Sequence, residues 1–109
     1  KVMVRATETA PFTGRRVHNP QARATMPLAD NMVPLSQTQG IDPNTPITIY
    51  RGAPNTQHSI SAGDFITTNP RLAADYAGTG HIIQTTVPAA HILDDASEPL
   101  GEEYIYRPA

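Results

Sequence analysis

Prolines and glycines interrupt the N-terminal part of the chain so often that they disfavour any long helix or strand there. They stand at Pro11, Gly14, Pro20, Pro27, Pro34, Gly40, Pro43 and Pro46. Proline lacks a backbone N–H and ends helices and strands, and glycine marks turns. Only Lys1–Arg5 alternates apolar and polar residues with the period of a strand. The pattern predicts an irregular, loop-rich segment over residues 1–46, of the kind that is either functional or linker-like.

Residues 47–109 have a more regular pattern. Runs of β-branched and aromatic residues predict strands at Ile47–Tyr50, Asp64–Thr68, His81–Val87 and Glu103–Tyr106, with one turn of helix at Ala89–Leu93. A helix is predicted after the second strand, because Asn69 suits the N-cap, Pro70 the first helical position and Gly78 the residue after the end. Strands separated by one short helix predict an α+β fold.

Length and composition exclude several classes of protein. The chain has 109 residues, so we expect one domain over residues 1–109. It begins at Lys1 without an apolar leader, which we interpret as part of a longer polypeptide. A net charge of −2 argues against a general polyanion binder. No apolar run approaches the roughly 18–20 residues that cross a bilayer, so no membrane partner is expected.

The charges are unevenly distributed along the chain. Residues 1–23 contain one acidic residue, Glu8, against the basic Lys1, Arg5, Arg15, Arg16 and Arg23. Residues 94–103 contain no basic residue and carry Asp94, Asp95, Glu98, Glu102 and Glu103. Two solvated faces of opposite sign explain this pattern, as does a basic arm that holds an anionic ligand or target. Because the two aspartates are adjacent, we expect them in a solvated turn.

Several catalytic and metal-binding patterns are absent from the sequence. Cysteine is absent, which excludes thiolate metal sites. No zincin motif is formed by the four histidines, His18, His58, His81 and His91. No nucleophile elbow surrounds Ser59 or Ser61, and no phosphate-loop lysine exists because Lys1 is the only lysine. We therefore predict no metal site.

Three features remain as candidates for chemistry. Arg51 closes an apolar strand, where a guanidinium needs an anion, either the phosphate of a ligand or a carboxylate in a structural salt bridge. Thr67 and Thr68 point to opposite faces of the next strand, so only one can face a cleft. Glu103, preceded by Glu102, stands at the mouth of an apolar strand. Partial desolvation there suits a catalytic carboxylate, although surface glutamates occupy such places too.

Taken in order, these features resemble the ADP-ribosyltransferase superfamily. The pattern comprises Tyr50-Arg51-Gly52, the stretch 63–69 that runs into a helix, and Glu102-Glu103 before Tyr-Ile-Tyr. The pattern is similar to the arginine/serine-threonine/glutamate branch of this superfamily, which is found in bacterial toxins and phage-encoded proteins. The resemblance covers residues 47–108. The resemblance implies a small split β-sheet or β-sandwich with few short helices, in which residues 47–109 form the NAD-binding core.

The resemblance also implies which residues bind NAD, the substrate of this family. Arg51 would bind the phosphates and ribose, and Gly52 would let the backbone approach the ligand closely. Thr67, Thr68 and Asn69 fall where the family has Ser-Thr-Ser, and the two threonines would contact NAD. Tyr76 would pack on the nicotinamide ring, with packing in the core as the alternative.

By the same resemblance, Glu103 is the catalytic glutamate. It would hydrogen-bond the 2′-hydroxyl of the nicotinamide ribose and stabilise the positive charge that develops as nicotinamide leaves. The hydroxyl of Thr67 would orient this carboxylate. Arginine-modifying members carry Glu or Gln two residues earlier, where this chain has Gly101. Glu102 is the neighbouring carboxylate that would take over part of that role.

The implied function is a mono-ADP-ribosyltransferase that modifies a protein or a nucleic acid. The setting implied is a bacterial toxin or effector, secreted or delivered into a target cell, or a phage-encoded domain. A toxin would also have an immunity or antitoxin partner. Two alternatives stay open: an NAD glycohydrolase with water as acceptor, and a catalytically inactive domain that serves as a binding module.

Overall fold

A strand and a helix open the part of the chain that the structure, a computed structural model, describes, which is residues 31–97 and 101–108. The elements follow in the order β1 (Met32–Pro34), α1 (Leu35–Gln39), β2 (Pro46–Ala53), β3 (Phe65–Thr67), α2 (Pro70–Ala77), β4 (His81–Pro88), a 3-10 turn (Ala89–His91), β5 (Ile92–Asp95) and β6 (Glu103–Tyr106). The predicted α+β class is confirmed.

Backbone hydrogen bonds join the six described strands into one antiparallel sheet with the order β1-β5-β6-β3-β2-β4. Strands β2 and β4 pair along their whole length, from Pro46 opposite Pro88 to Ala53 opposite His81. Strands β2 and β3, in contrast, meet at one residue pair, Tyr50 opposite Thr67. The sheet therefore consists of two hydrogen-bonded blocks. One is the pair of β2 with β4, the other contains the four strands β1-β5-β6-β3, and they meet at a narrow β2–β3 junction.

The two faces of the sheet are packed differently, because successive residues of a strand point to opposite sides. One side, the core face, carries the main hydrophobic cluster of Leu35, Ile49, Ile66, Val87, Ile92 and Tyr104. Leu35 comes from α1, which covers this face. Helix α2 packs against β2 on the opposite side, the helix face.

Helix α2 begins and ends as predicted. The side chain of Asn69 accepts a 2.9 Å hydrogen bond from the backbone N–H of Arg71, and Pro70 opens the helix. Gly78 follows the last helical residue with a φ of 56°, a conformation that glycine adopts without steric cost. These caps explain why the sequence signal was sufficient to locate this helix.

The predicted strands are also confirmed, with shifted ends. Ile47–Tyr50 lies within β2, Asp64–Thr68 contains β3, His81–Val87 lies within β4, and Glu103–Tyr106 coincides with β6. The turn predicted at Ala89–Leu93 is a 3-10 turn followed directly by β5.

The irregular segment predicted up to residue 46 contains two regular elements, β1 and α1. Each is too short to produce a periodic pattern in the sequence. Tertiary contacts hold them instead, since β1 pairs with β5 and Leu35 is buried in the core cluster. The strand predicted at Lys1–Arg5 and the basic residues up to Arg23 lie outside the described residues.

Asp94 and Asp95 are buried in β5, so the solvated turn predicted for them is wrong. Their exposed fractions are only 2% and 3%. The hydroxyl of Thr38 donates a 2.6 Å hydrogen bond to Asp94 Oδ2, and Ser97 donates from its backbone and hydroxyl to Asp95 Oδ1. Burial raises the pKa of Asp94, and the Thr38 hydrogen bond offsets only part of that effect. No local pattern in the sequence indicates that Thr38 of α1 lies against this carboxylate.

Gly52 brings the backbones of β2 and α2 into direct contact. A Cβ atom at this position would lie 2.4 Å from the carbonyl oxygen of Ala73 and 2.6 Å from the backbone nitrogen of Ala77. Atoms at such distances overlap, so only glycine permits the helix to lie this close to the strand.

Gly52→Ala is expected to lower the free energy of unfolding by about 3 kcal/mol, because α2 must move away from β2. Gly40→Ala is the control. Gly40 has a φ of 63° but open space around it, so only backbone strain of about 1 kcal/mol is added there. Urea denaturation measures both values. A loss at Gly52 no larger than that at Gly40 would contradict the close backbone contact.

Asp94→Asn is expected to stabilise the protein at neutral pH. The raised pKa means that the folded state binds a proton more tightly than the unfolded chain. Wild-type stability therefore falls as pH rises from the ordinary value of 3.8 through the folded-state pKa, and the variant escapes this loss. Thermal unfolding over a pH series should show its advantage disappearing in acid. Asp75→Asn, on the exposed side of α2, should show a smaller advantage.

Candidate functional site

A small pocket lies at the β2–β3 junction, between the helix face of the sheet and α2. It holds about 220 Å³ of space, part of which is open solvent. It is lined by Tyr50 and Gly52 of β2, Phe65, Ile66 and Thr67 of β3, Tyr76 of α2 and Glu103 of β6. Four of the residues singled out from the sequence therefore share one pocket: Gly52, Thr67, Tyr76 and Glu103.

The strand register sets three polar side chains in a row on this face. Thr67 is directly opposite Tyr50 on one neighbouring strand and directly opposite Glu103 on the other. Residues opposite each other on antiparallel strands project to the same side of the sheet. The carboxylate of Glu103, which is half-buried, therefore lies next to the buried side chain of Thr67.

The hydroxyl that contacts the Glu103 carboxylate belongs to Tyr76. It donates a hydrogen bond to Glu103 Oε2 across the pocket, from α2 to β6. The Thr67 hydroxyl oxygen instead accepts a 3.0 Å hydrogen bond from the backbone N–H of Asn69. Sequence reasoning selected Tyr76 as a nicotinamide-packing residue or a core residue, and no spacing rule indicated that its hydroxyl reaches a carboxylate 27 residues further along the chain.

Three predicted site residues lie outside the pocket lining: Glu102, Thr68 and Arg51. Glu102 is exposed, and its Oε1 accepts a 3.2 Å hydrogen bond from the side-chain amide of Asn69. Thr68 is half-buried and hydrogen-bonds Tyr104, which belongs to the core face. Burial and the nearby charge of Asp94 raise the pKa of Tyr104, while the bond with Thr68 lowers it.

Arg51 is buried in a structural salt bridge and does not line the pocket. Its Nε lies 3.5 Å from Asp64 Oδ2, and both side chains are 1% exposed. The same Nε donates a 3.0 Å hydrogen bond to Gln57 Oε1, and Nη1 donates a 3.1 Å bond to the carbonyl oxygen of Phe65. Of the two anions that the sequence left open for this arginine, the structure contains the carboxylate.

Asp64 is the centre of a network that sequence reasoning missed. Its Oδ2 accepts hydrogen bonds from the Gln57 side-chain amide at 2.7 Å and from the backbone N–H of Ser61 at 2.8 Å. Together with Arg51, these contacts fasten the loop before β3 to β2. The available signal was the pairing of one apolar-strand arginine with one aspartate at the start of the next strand.

Comparisons of the chain with protein families, with curated proteins and with solved structures give no match. Within residues 31–97 and 101–108, no helix is both long and apolar enough to cross a membrane. Over the same ranges, no group of three or more histidine, aspartate or glutamate side chains is arranged to hold a metal ion.

Arg51→Ala and Asp64→Ala are each expected to lower the free energy of unfolding by about 3–5 kcal/mol, because each leaves a buried charge without its partner. The double variant should lose less than the two single losses combined, since it buries neither charge. Urea denaturation of the four proteins gives the coupling energy. Strictly additive losses would show that the two side chains do not interact.

Proposed function

We propose that this chain is an NAD-dependent mono-ADP-ribosyltransferase domain that acts on a macromolecule, with its reaction centre in the pocket at the β2–β3 junction. The observation that carries the proposal is the pairing of Glu103 with Thr67 on adjacent strands, in a pocket that also contains Gly52 and Tyr76. These four positions are separated in the sequence, and the family resemblance implies a role in NAD binding or catalysis for each of them.

Glu103 supplies negative charge where the proposed reaction develops positive charge. The bond between the ribose C1′ and the nicotinamide nitrogen breaks, and nicotinamide leaves with the bonding electrons. A nucleophile of the acceptor then bonds to C1′ and releases its proton. A half-buried carboxylate that is already in place stabilises the oxocarbenium-like ribose more strongly than water does.

The size and lining of the pocket suit one end of NAD. Even with the open solvent at its mouth included, the pocket holds only about 220 Å³ of space, so it is too small to enclose a whole NAD molecule, since sites that enclose whole small molecules measure roughly 300–1,000 Å³. The nicotinamide ribose is therefore the part proposed to enter, with the adenosine end outside. Phe65, Tyr50 and Tyr76 provide aromatic surface for a flat ring beside the carboxylate.

In this proposal Arg51 has a structural role and stabilises the site from the core face, which is the side of the sheet opposite the pocket. Its guanidinium is held by Asp64 and by the Phe65 carbonyl. Withdrawing it to bind the NAD phosphates would leave the buried Asp64 charge uncompensated, at a cost of about 3–5 kcal/mol. The expectation that Arg51 binds phosphate directly is therefore replaced by a structural role.

An NAD glycohydrolase is the second candidate, and Gly101 favours it. Gly101 is exposed, and its carbonyl oxygen accepts a 3.1 Å hydrogen bond from the Tyr104 hydroxyl. Glycine has no side chain that could bind the acceptor group of a protein or nucleic acid. When water is the acceptor, no acceptor-binding side chain is needed. For the transferase, we propose a toxin, effector or phage setting in which a protein or nucleic acid of the target cell is the acceptor.

Nicotinamide release from NAD by the purified chain, with and without a cell lysate, tests the proposal. Glu103→Gln is expected to lower kcat by about 100-fold or more while keeping NAD affinity, because it removes the charge and preserves the shape. Glu102→Gln is the matched comparison and should lose far less, since that side chain is exposed and outside the pocket.

Each outcome separates the candidates. Release that requires lysate supports the transferase, and labelled NAD then marks the acceptor. Release in buffer alone supports the glycohydrolase. If the wild type neither binds NAD in calorimetry nor releases nicotinamide, the enzymatic proposal fails and the binding-module alternative remains.

A further inference from the structure

Helix α2 holds Tyr76 in a defined position over the sheet. The helix is capped by Asn69 at its start. Its backbone contacts Gly52 at two places: at Ala73, about one turn before Tyr76, and at Ala77, the residue after Tyr76. The tyrosine is 8% exposed. A tyrosine has only two rotatable side-chain bonds, so little conformational entropy is lost when it is fixed. Its hydroxyl is therefore a hydrogen-bond donor that is already in position before a ligand binds.

The hydrogen bond from Tyr76 is made to the carboxylate on which the proposed reaction depends. An ionised carboxylate has about four acceptor positions, so it can accept one hydrogen bond from a phenol and another from a substrate hydroxyl. A donor to the charged form fixes the orientation of the carboxylate and favours its ionised state.

The Thr67 hydroxyl has a different partner. It accepts from the backbone N–H of Asn69, which is the N-cap of α2. Hydroxyls that bond to a backbone N–H two residues ahead stabilise turns. Thr67 thus helps to shape the connection from β3 to α2.

We propose that Tyr76 is the positioning residue of Glu103, in the role that the resemblance implied for Thr67. The phenol orients the carboxylate and keeps it ionised for the ribose hydroxyl of the substrate, and its effect on kcat rests on the proposed function. The contact itself is independent of that function, so the two can be tested separately.

Tyr76→Phe removes only the donating hydroxyl. It is expected to lower kcat for nicotinamide release by about tenfold or more, because the carboxylate loses its alignment, while KM for NAD changes much less. Tyr106→Phe is the matched control. Tyr106 is half-buried on the same strand as Glu103 and packs against the core cluster, so deletion of its hydroxyl should leave kcat close to wild type.

A carbon-13 NMR titration of the Glu103 carboxyl gives a readout that needs no turnover. Its titration midpoint should move to higher pH in Tyr76→Phe and stay in place in Tyr106→Phe. Among the described residues, Tyr50 is the other titratable side chain that lines the pocket, and it is intact in both variants.

The results distinguish the two proposals. An unchanged Glu103 titration in Tyr76→Phe overturns the positioning role. A larger kcat loss in Thr67→Val than in Tyr76→Phe also overturns it and returns the role to Thr67. If the wild type releases no nicotinamide but the titration midpoint shifts as expected, the proposed function fails and the Tyr76–Glu103 contact stands.

Discussion

The contact between the backbones of α2 and β2 at Gly52 is the constraint on which the pocket depends. Because no side chain separates the helix from the strand, α2 lies close to the sheet. The hydroxyl of Tyr76 on α2 can therefore donate a hydrogen bond to Glu103 on β6. If the helix lay one side chain further away, the hydroxyl of Tyr76 would not reach the Glu103 carboxylate. The same glycine was selected from the sequence as a place for close approach of a ligand, and in the structure the approaching group is the helix.

Two buried acidic groups are stabilised in different ways on the core face. Asp64 is neutralised by Arg51 and receives hydrogen bonds from the loop that precedes β3. Asp94 receives a hydroxyl bond from Thr38, and within the described residues no basic side chain forms an ion pair with it. Burial raises the pKa of Asp94 for that reason. The first arrangement fastens a loop, whereas the second makes stability depend on protonation.

Local signals in the sequence were sufficient for the elements that carry their own caps or β-branched runs. Helix α2 has Asn69, Pro70 and Gly78 at its ends, and β6 begins at the predicted Glu103. Pairing with distant segments determines strand β1, helix α1 and the burial of Asp94 and Asp95, and no short sequence pattern encodes such pairing.

For the pocket, strand alternation correctly separated Thr67 from Thr68, and the register then placed Thr67 beside Glu103. The partner of each hydroxyl was decided by packing, so the role of Tyr76 could not be derived from spacing.

The narrow β2–β3 junction divides the sheet into two blocks that share little backbone hydrogen bonding. The β2–β4 ribbon and the four-stranded block each have a continuous ladder, but one residue pair links them, and side chains supply the remaining cohesion. The main hydrophobic cluster is part of that cohesion, because it contains Ile49 and Val87 of one block and Ile66 and Tyr104 of the other. Since the pocket is lined by residues of both blocks, any ligand that fills it contacts both. Such a ligand binds the folded state alone and therefore raises the free energy of unfolding.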